Sequence, residues 1–210
     1  MDGPARRERL ARSRLYLVIE ARPHGGDPAP LLERALRGGV DIVQLRDKDL
    51  DDDELVAAAA PFRASCDAHG ALFVLNDRPD LVAACGADGV HVGQEDTPAE
   101  EARRQIGFDR LLGVSTHSRE QMLAAAEADY VGVGTIFATP TKPGNEAAGL
   151  ELVRTAAATL EIPWFAIGGI DLGNVADVAA AGARGVAVVR AIRDADDPEA
   201  AARALRAALS

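Results

Sequence analysis

The chain has 210 residues, 48% of them hydrophobic and 27% charged, with a formal net charge of −10 at pH 7. That length suits one domain that buries roughly 70% of its unfolded surface, and the composition is that of a compact globular protein, not a disordered or fibrous one. The acidic balance excludes a general nucleic-acid surface, no apolar run reaches the ~20 residues of a membrane span, and residues 1–14 lack an export-type apolar segment, so a cytoplasmic protein is expected.

The chain opens with Arg6, Arg7, Arg9, Arg12 and Arg14. The cluster is too short to reverse the overall charge and reads as a solvated basic leader over 1–14, leaving 15–210 as a single domain. From Leu15 onward, short apolar runs alternate with longer Ala-rich amphipathic stretches. Strands are predicted at 15–19, 42–45, 72–75, 89–92, 111–114, 130–133, 164–167 and 185–189. Helices are predicted at 29–38, 52–69, 79–85, 98–106, 119–126, 150–160, 172–180 and 198–208. Strict strand-then-helix order implies a parallel sheet, and eight units favour closure into a (β/α)8 TIM barrel over an open doubly wound sheet.

Cys66 and Cys85 have no metal-binding or disulfide spacing and read as small buried hydrophobes. Lysine usage is more informative: of 23 basic residues only Lys48 and Lys142 are lysines. A compact ammonium does a different job from a planar guanidinium, so chemistry is sought at those two places.

In such a barrel the active site is built at the C-terminal ends of the strands, and those ends are polar here. Strand two ends in Gln44-Leu45-Arg46-Asp47-Lys48, strand three in Asn76-Asp77-Arg78, strand four in Gly93-Gln94-Glu95-Asp96, and strand five in Ser115-Thr116-His117. Thr139-Pro140-Thr141-Lys142 follows strand six, Gly168-Gly169 ends strand seven, and Val189-Arg190 ends strand eight. Paired glycines let a phosphate approach backbone N–H groups, and Asp77 with Asp96 offers the hard oxygen ligands that suit magnesium. Arg46, Lys48 and Lys142 supply cations for a second anionic group. Each feature has a plainer reading: a loop Asp is more often a cap, His117 a satisfied loop residue, and the acidic run from Asp47 to Asp53 a helix entry. His91, within an apolar strand, is expected to face the core or the barrel interior, and His24 and His69 the surface. Convergence of the polar clusters, the glycine turns and both lysines on one face outweighs those readings.

Taken in order, Gln44-Leu45-Arg46-Asp47-Lys48, Asn76-Asp77-Arg78, 87–96 (Ala-Asp-Gly-Val-His-Val-Gly-Gln-Glu-Asp), Gly113-Val114-Ser115, Gly132-Val133-Gly134 with Thr139-Pro140-Thr141-Lys142, and Ile167-Gly168-Gly169-Ile170 resemble the motif series of the thiamine-phosphate synthase family over roughly residues 15–192. The resemblance implies a transferase that joins 4-amino-2-methyl-5-(diphosphooxymethyl)pyrimidine to 4-methyl-5-(2-phosphooxyethyl)thiazole, or its carboxylated tautomer, through a pyrimidinylmethyl cation. It implies that Gln44, Leu45, Arg46, Asp47, Lys48, Asn76, Ser115 and Lys142 bind the pyrimidine diphosphate, with Arg46, Lys48, Ser115 and Lys142 taking part in catalysis. Thr139, Pro140, Thr141, Gly169, Val189 and Arg190 would bind the thiazole phosphate. Asp77 and Asp96 would hold one Mg2+ ion per subunit. Small-molecule substrates are the partners implied, with neither nucleic acid nor membrane; oligomeric state is left open, a homo-oligomer included.

Two departures from the family pattern stand out. Arg190 occupies a position where serine is common, and Thr135 and Ala138 stand where prolines are common. The alternatives are a thiazole tautomerase-like isomerase on the same barrel, which would not need Arg46, Lys48, Asp77, Asp96 and Lys142, and a non-catalytic phosphate-binding barrel.

Overall fold

The computed structural model describes residues 1–139 and 147–209. Eight parallel strands close in sequence order, β1 (Leu15–Ile19), β2 (Ile42–Leu45), β3 (Leu72–Asn76), β4 (Gly89–Val92), β5 (Leu111–Thr116), β6 (Tyr130–Val133), β7 (Trp164–Ile167) and β8 (Val186–Val188), with β8 pairing back onto β1. Around them lie α2 (Ala29–Arg37), α3 (Asp52–His69), α4 (Ala99–Ile106), α5 (Arg119–Ala124), α6 (Gly149–Thr159), α7 (Val175–Ala180), α8 (Arg190–Arg193) and α9 (Pro198–Ala207), preceded by α1 (Gly3–Arg12). The expected TIM barrel is therefore the fold, and no helix among the described residues is long and apolar enough to cross a membrane.

Strand alternation sorts the apolar residues into two cores. Leu15, Leu17, Val43, Leu45, Phe73 and Val90 point outward and pack under the helices, while Tyr16, Ile42, Leu72, Val74, Leu111, Tyr130 and Phe165 fill the barrel interior. The acidic run after β2 enters a helix as expected: the Asp51 carboxylate accepts from Glu54 N–H at 2.9 Å and the Glu54 carboxylate from Asp51 N–H at 3.2 Å, a reciprocal cap for α3.

Three local expectations change. Residues 79–85 form a 3-10 turn at Pro79–Leu81 and one further turn, in which Cys85 N–H donates to Leu81 O at 2.9 Å, in place of the expected helix. Strand β5 runs on to Thr116, since Ser115 and Thr116 pair with Gly132 and Val133 although their polarity resembles a loop. The basic start is not a solvated leader: its residues make α1, capped by Asp2, whose carboxylate accepts from Ala5 N–H at 3.0 Å.

That helix closes the N-terminal mouth of the barrel. Leu10, 2% exposed, joins the interior core, a contact worth about 1.5–3 kcal/mol. Arg6 is buried and reaches Asp88 at 2.9 Å and Asp109 at 2.9 Å. Asp88 also accepts from Arg63 at 2.8 Å and from Phe73 N–H at 3.0 Å. Burial opposes the Asp88 charge, but these donors outweigh it and hold the carboxyl below its usual range. Composition suggested a solvated cluster because it cannot show that the acceptors of Arg6 lie some 80 to 100 residues downstream.

Candidate active site

The C-terminal mouth opens into a cavity of about 440 Å³ whose walls come from all eight strands or the loops that follow them. Gln44, Arg46, Asn76, Ser115, Thr139, Gly169, Val189 and Arg190 line it, and so do Tyr16, His91, His117 and Tyr130. Strand alternation explains the choice. Gln44 points inward beside Val18 and Val74 in the parallel register, and Arg46 follows two positions later on the same side.

A charged rim adjoins this cavity at the ends of β2, β3 and β4. Lys48 Nζ lies 2.8 Å from Asp77 Oδ2 and 3.8 Å from Asp96 Oδ1, so both carboxylates converge on one cationic point. Asn76 Nδ2 donates to Asp77 Oδ2 at 2.6 Å, and Gly93 N–H donates to Asp96 Oδ2 at 3.0 Å. Asp77 takes a left-handed backbone conformation, φ 59°, which aspartate tolerates better than most residues and which turns its carboxylate toward Lys48. The hydrogen bond to Asp77 is the main cause that raises the Lys48 pKa, so the ammonium stays charged. The Lys48 side chain is 53% exposed, and an ion pair of that kind costs little to rearrange.

The opposite wall is built from backbone. Gly168 and Gly169 have φ 107° and 63°, a conformation that side chains rarely adopt. A Cβ on Gly169 would lie 2.8 Å from Ala138 O, so the turn also packs directly on the loop after β6. Asn174 Nδ2 donates to Gly169 O at 2.9 Å and fixes the turn from behind. Val189 and Arg190 begin α8, and the Arg190 side chain is exposed at the cavity edge. Arg193, one turn on, is tied to Glu20 at 3.1 Å and Asp194 at 2.6 Å.

Some expected residues sit elsewhere. The Leu45 side chain is fully buried in the outer core, facing away from the cavity. Asp47 accepts from Ala21 N–H at 3.2 Å and Asp49 N–H at 3.3 Å, pinning the loops after β1 and β2 together. Pro140, Thr141 and Lys142 lie outside the described residues. Tyr16 and Tyr130, both 2% exposed or less and inside the barrel, join the site without standing out in the motif pattern. Their signal was available, because they are the only two tyrosines of the chain and both occupy inward positions on strands. His91 faces the interior as expected, and His117 bonds to Gly134 O through Nδ1.

A closed (β/α)8 barrel with a glycine turn on one wall and a carboxylate pair beside two cations on the other defines a phosphate-handling barrel enzyme. Residues 15–192 match the family described as thiamine monophosphate synthase, and the chain belongs to that family, whose members are transferases. It is 56% identical over 198 residues to the thiamine-phosphate synthase of a Thermus thermophilus strain, covering 92% of this chain and 95% of that one. It is 52% identical over 200 residues to the thiamine-phosphate synthase of Streptomyces avermitilis, covering 93% of each. Among solved structures, the thiamine phosphate pyrophosphorylase of Pyrococcus furiosus superposes with a TM-score of 0.85 at 33% identity, covering 97% of this chain and 96% of that one.

Proposed function

We propose that the chain condenses 4-amino-2-methyl-5-(diphosphooxymethyl)pyrimidine with 4-methyl-5-(2-phosphooxyethyl)thiazole, or its carboxylated tautomer, to give thiamine phosphate and diphosphate, with CO2 released as well when the carboxylated form is used. The observation that carries this reading is the pairing of two anion-receiving walls across one barrel mouth. Arg46, Lys48, Asp77 and Asp96 make one wall, and the Gly168-Gly169 turn with the start of α8 makes the other.

In this reading Gln44, Arg46, Lys48, Asn76 and Ser115 bind the pyrimidine diphosphate, with Lys142 as a further cation. Leu45 and Asp47 serve through the backbone and loop positions described above. The thiazole phosphate sits on backbone N–H groups of Gly169, Val189 and Arg190, with Thr139, Pro140 and Thr141 beside it. Asp77 and Asp96 fit a single magnesium ion: they already share one cation, the Lys48 ammonium, and magnesium typically takes one or two carboxylates and completes its shell with water and substrate phosphate. Such an ion supplies charge neutralisation on the departing diphosphate. With an ion held there, the Lys48 ammonium would be left to pair with the diphosphate oxygens.

The chain's own groups then account for the chemistry. Departure of diphosphate concentrates negative charge on its oxygens, so Arg46, Lys48 and Lys142 stabilise the transition state more than the ground state. The C–O bond breaks with both electrons leaving on diphosphate, and the thiazole nitrogen captures the pyrimidinylmethyl cation with its lone pair. No nucleophilic side chain is required. The cavity walls hold the two rings together and limit competing capture by water.

Incubating the protein with both substrates, with and without magnesium, and assaying by mass for thiamine phosphate tests the proposal. Magnesium-dependent product supports it. Tautomerisation of the thiazole with no condensation would assign the barrel to an isomerase instead.

A further inference from the structure

Across the floor of the cavity, five side chains from five strands form one hydrogen-bond chain. Gln44 Nε2 donates to the Tyr16 hydroxyl at 2.6 Å, and the Tyr16 and Tyr130 hydroxyls lie 3.0 Å apart. Tyr130 OH lies 3.2 Å from His91 Nδ1, and His91 Nε2 lies 2.9 Å from Ser115 Oγ. The two ends, Gln44 and Ser115, both line the cavity on different walls. Gly113 makes the chain possible: a Cβ there would collide with Tyr130 and lie 2.5 Å from His91 Nδ1.

A phenol donates one hydrogen, and a neutral imidazole donates from one nitrogen and accepts at the other. Burial raises the pKa of both tyrosines, so each keeps its proton. With His91 neutral, two senses satisfy every link and use every hydroxyl hydrogen. In the first, hydrogens run from Gln44 toward Ser115: His91 carries its proton on Nε2, Gln44 turns its carbonyl oxygen to the cavity, and the Ser115 O–H is left to donate outward. In the second, Ser115 donates to His91 Nε2, the proton of His91 sits on Nδ1, and Gln44 turns its NH2 to the cavity. A mixture, in which one tyrosine oxygen accepts from both neighbours, strands that phenol's hydrogen in the buried interior, at a cost of about 1–3 kcal/mol.

We propose that Tyr16, Tyr130 and His91 are positioning residues that lock the donor sense of the Gln44 amide to that of the Ser115 hydroxyl. The substrate is thereby read at both walls at once. The inference rests on the proposed function and deepens it, naming what selects the pyrimidine. An exocyclic amino group donates to the Gln44 oxygen, and the same sense aims the Ser115 hydrogen at the diphosphate. A 4-oxo pyrimidine offers an acceptor where the amine was. It demands the second sense, which turns the Ser115 hydrogen away from the diphosphate.

Two measurements test this on the full-length protein. The first is the ratio of kcat/KM for the 4-amino and 4-oxo pyrimidine diphosphates. Tyr130→Phe cuts the chain at its middle and is expected to lower that ratio by about tenfold. The second needs no variant: the 15N shifts of His91 report its tautomer, expected to be Nε2–H with the amino substrate bound and to move toward Nδ1–H with the oxo analogue. Product formation with an unchanged ratio in Tyr130→Phe, or one His91 tautomer with both ligands, overturns the relay alone. Failure of the unmodified protein to make thiamine phosphate overturns the relay and the proposed function together.

Discussion

The two mouths of the barrel use charge in opposite ways. At the N-terminal mouth, Arg6, Arg63 and Asp88 close on one another under α1, and Arg7 and Arg103 share Asp129 at 2.7 Å and 2.6 Å. At the C-terminal mouth, Arg46 and Arg190 border an open cavity, and Asp77 and Asp96 share the half-exposed Lys48 ammonium, the one cation they pair with among the described residues. The first arrangement satisfies ions with protein and serves stability; the second leaves them able to exchange protein partners for substrate. The same split between a stabilising face and a reactive one is expected of the barrel architecture.

Breaking the closed end should cost folding free energy and little chemistry. Asp88→Ala removes the shared acceptor of two buried or half-buried guanidiniums and is expected to lower unfolding free energy by about 3–5 kcal/mol, read by urea denaturation, while KM in the surviving folded fraction stays unchanged. Breaking the open end should do the reverse. Asp77→Asn keeps a residue that tolerates the left-handed conformation but removes the charge; kcat/KM is expected to fall by about 10²–10³ at saturating magnesium, with urea stability within about 1 kcal/mol of the parent. Equal loss of stability and activity in that variant would dissolve the contrast.

Smaller perturbations sharpen it. Leu10→Ala should cost about 2–3 kcal/mol of stability without altering substrate affinity, because its side chain packs at the N-terminal end of the barrel interior, away from the C-terminal mouth. Acid should also act through the closed end. The Asp88 pKa is depressed in the folded state, so its contribution is fully present above the unfolded value of about 3.9 and is lost as pH falls through the lower folded value. The urea midpoint is therefore expected to fall as pH drops below about 4, and Asp88→Asn should flatten that fall. A midpoint equally steep in Asp88→Asn would place the acid sensitivity elsewhere.

Much of the open end was legible beforehand. Lys48 stood out because arginine replaces lysine almost everywhere else, and Asp77 and Asp96 because they follow apolar strands at barrel spacing. Tyr16 and Tyr130 were equally rare but were hidden inside apolar runs, where an aromatic reads as core. Leu45 and Asp47 were assigned by their place in a motif; alternation along β2 turns the first outward, and two backbone N–H groups occupy the second. The role of α1 is not legible in its own residues, because the partners of Arg6 are far away in sequence.

Strand and helix periods, the parallel order that follows from their alternation, and the polar residues at the strand ends are all written in the amino-acid sequence. Those are local properties, written in neighbours two to four positions apart. Tertiary structure decided which polar residues meet. Closure of β8 onto β1 brought Gln44, Tyr16, Tyr130, His91 and Ser115 into one chain and set Lys48 between two aspartates. Hydrogen bonds and ion pairs act over a few ångströms, and only a closed barrel brings residues so far apart in the chain within that reach.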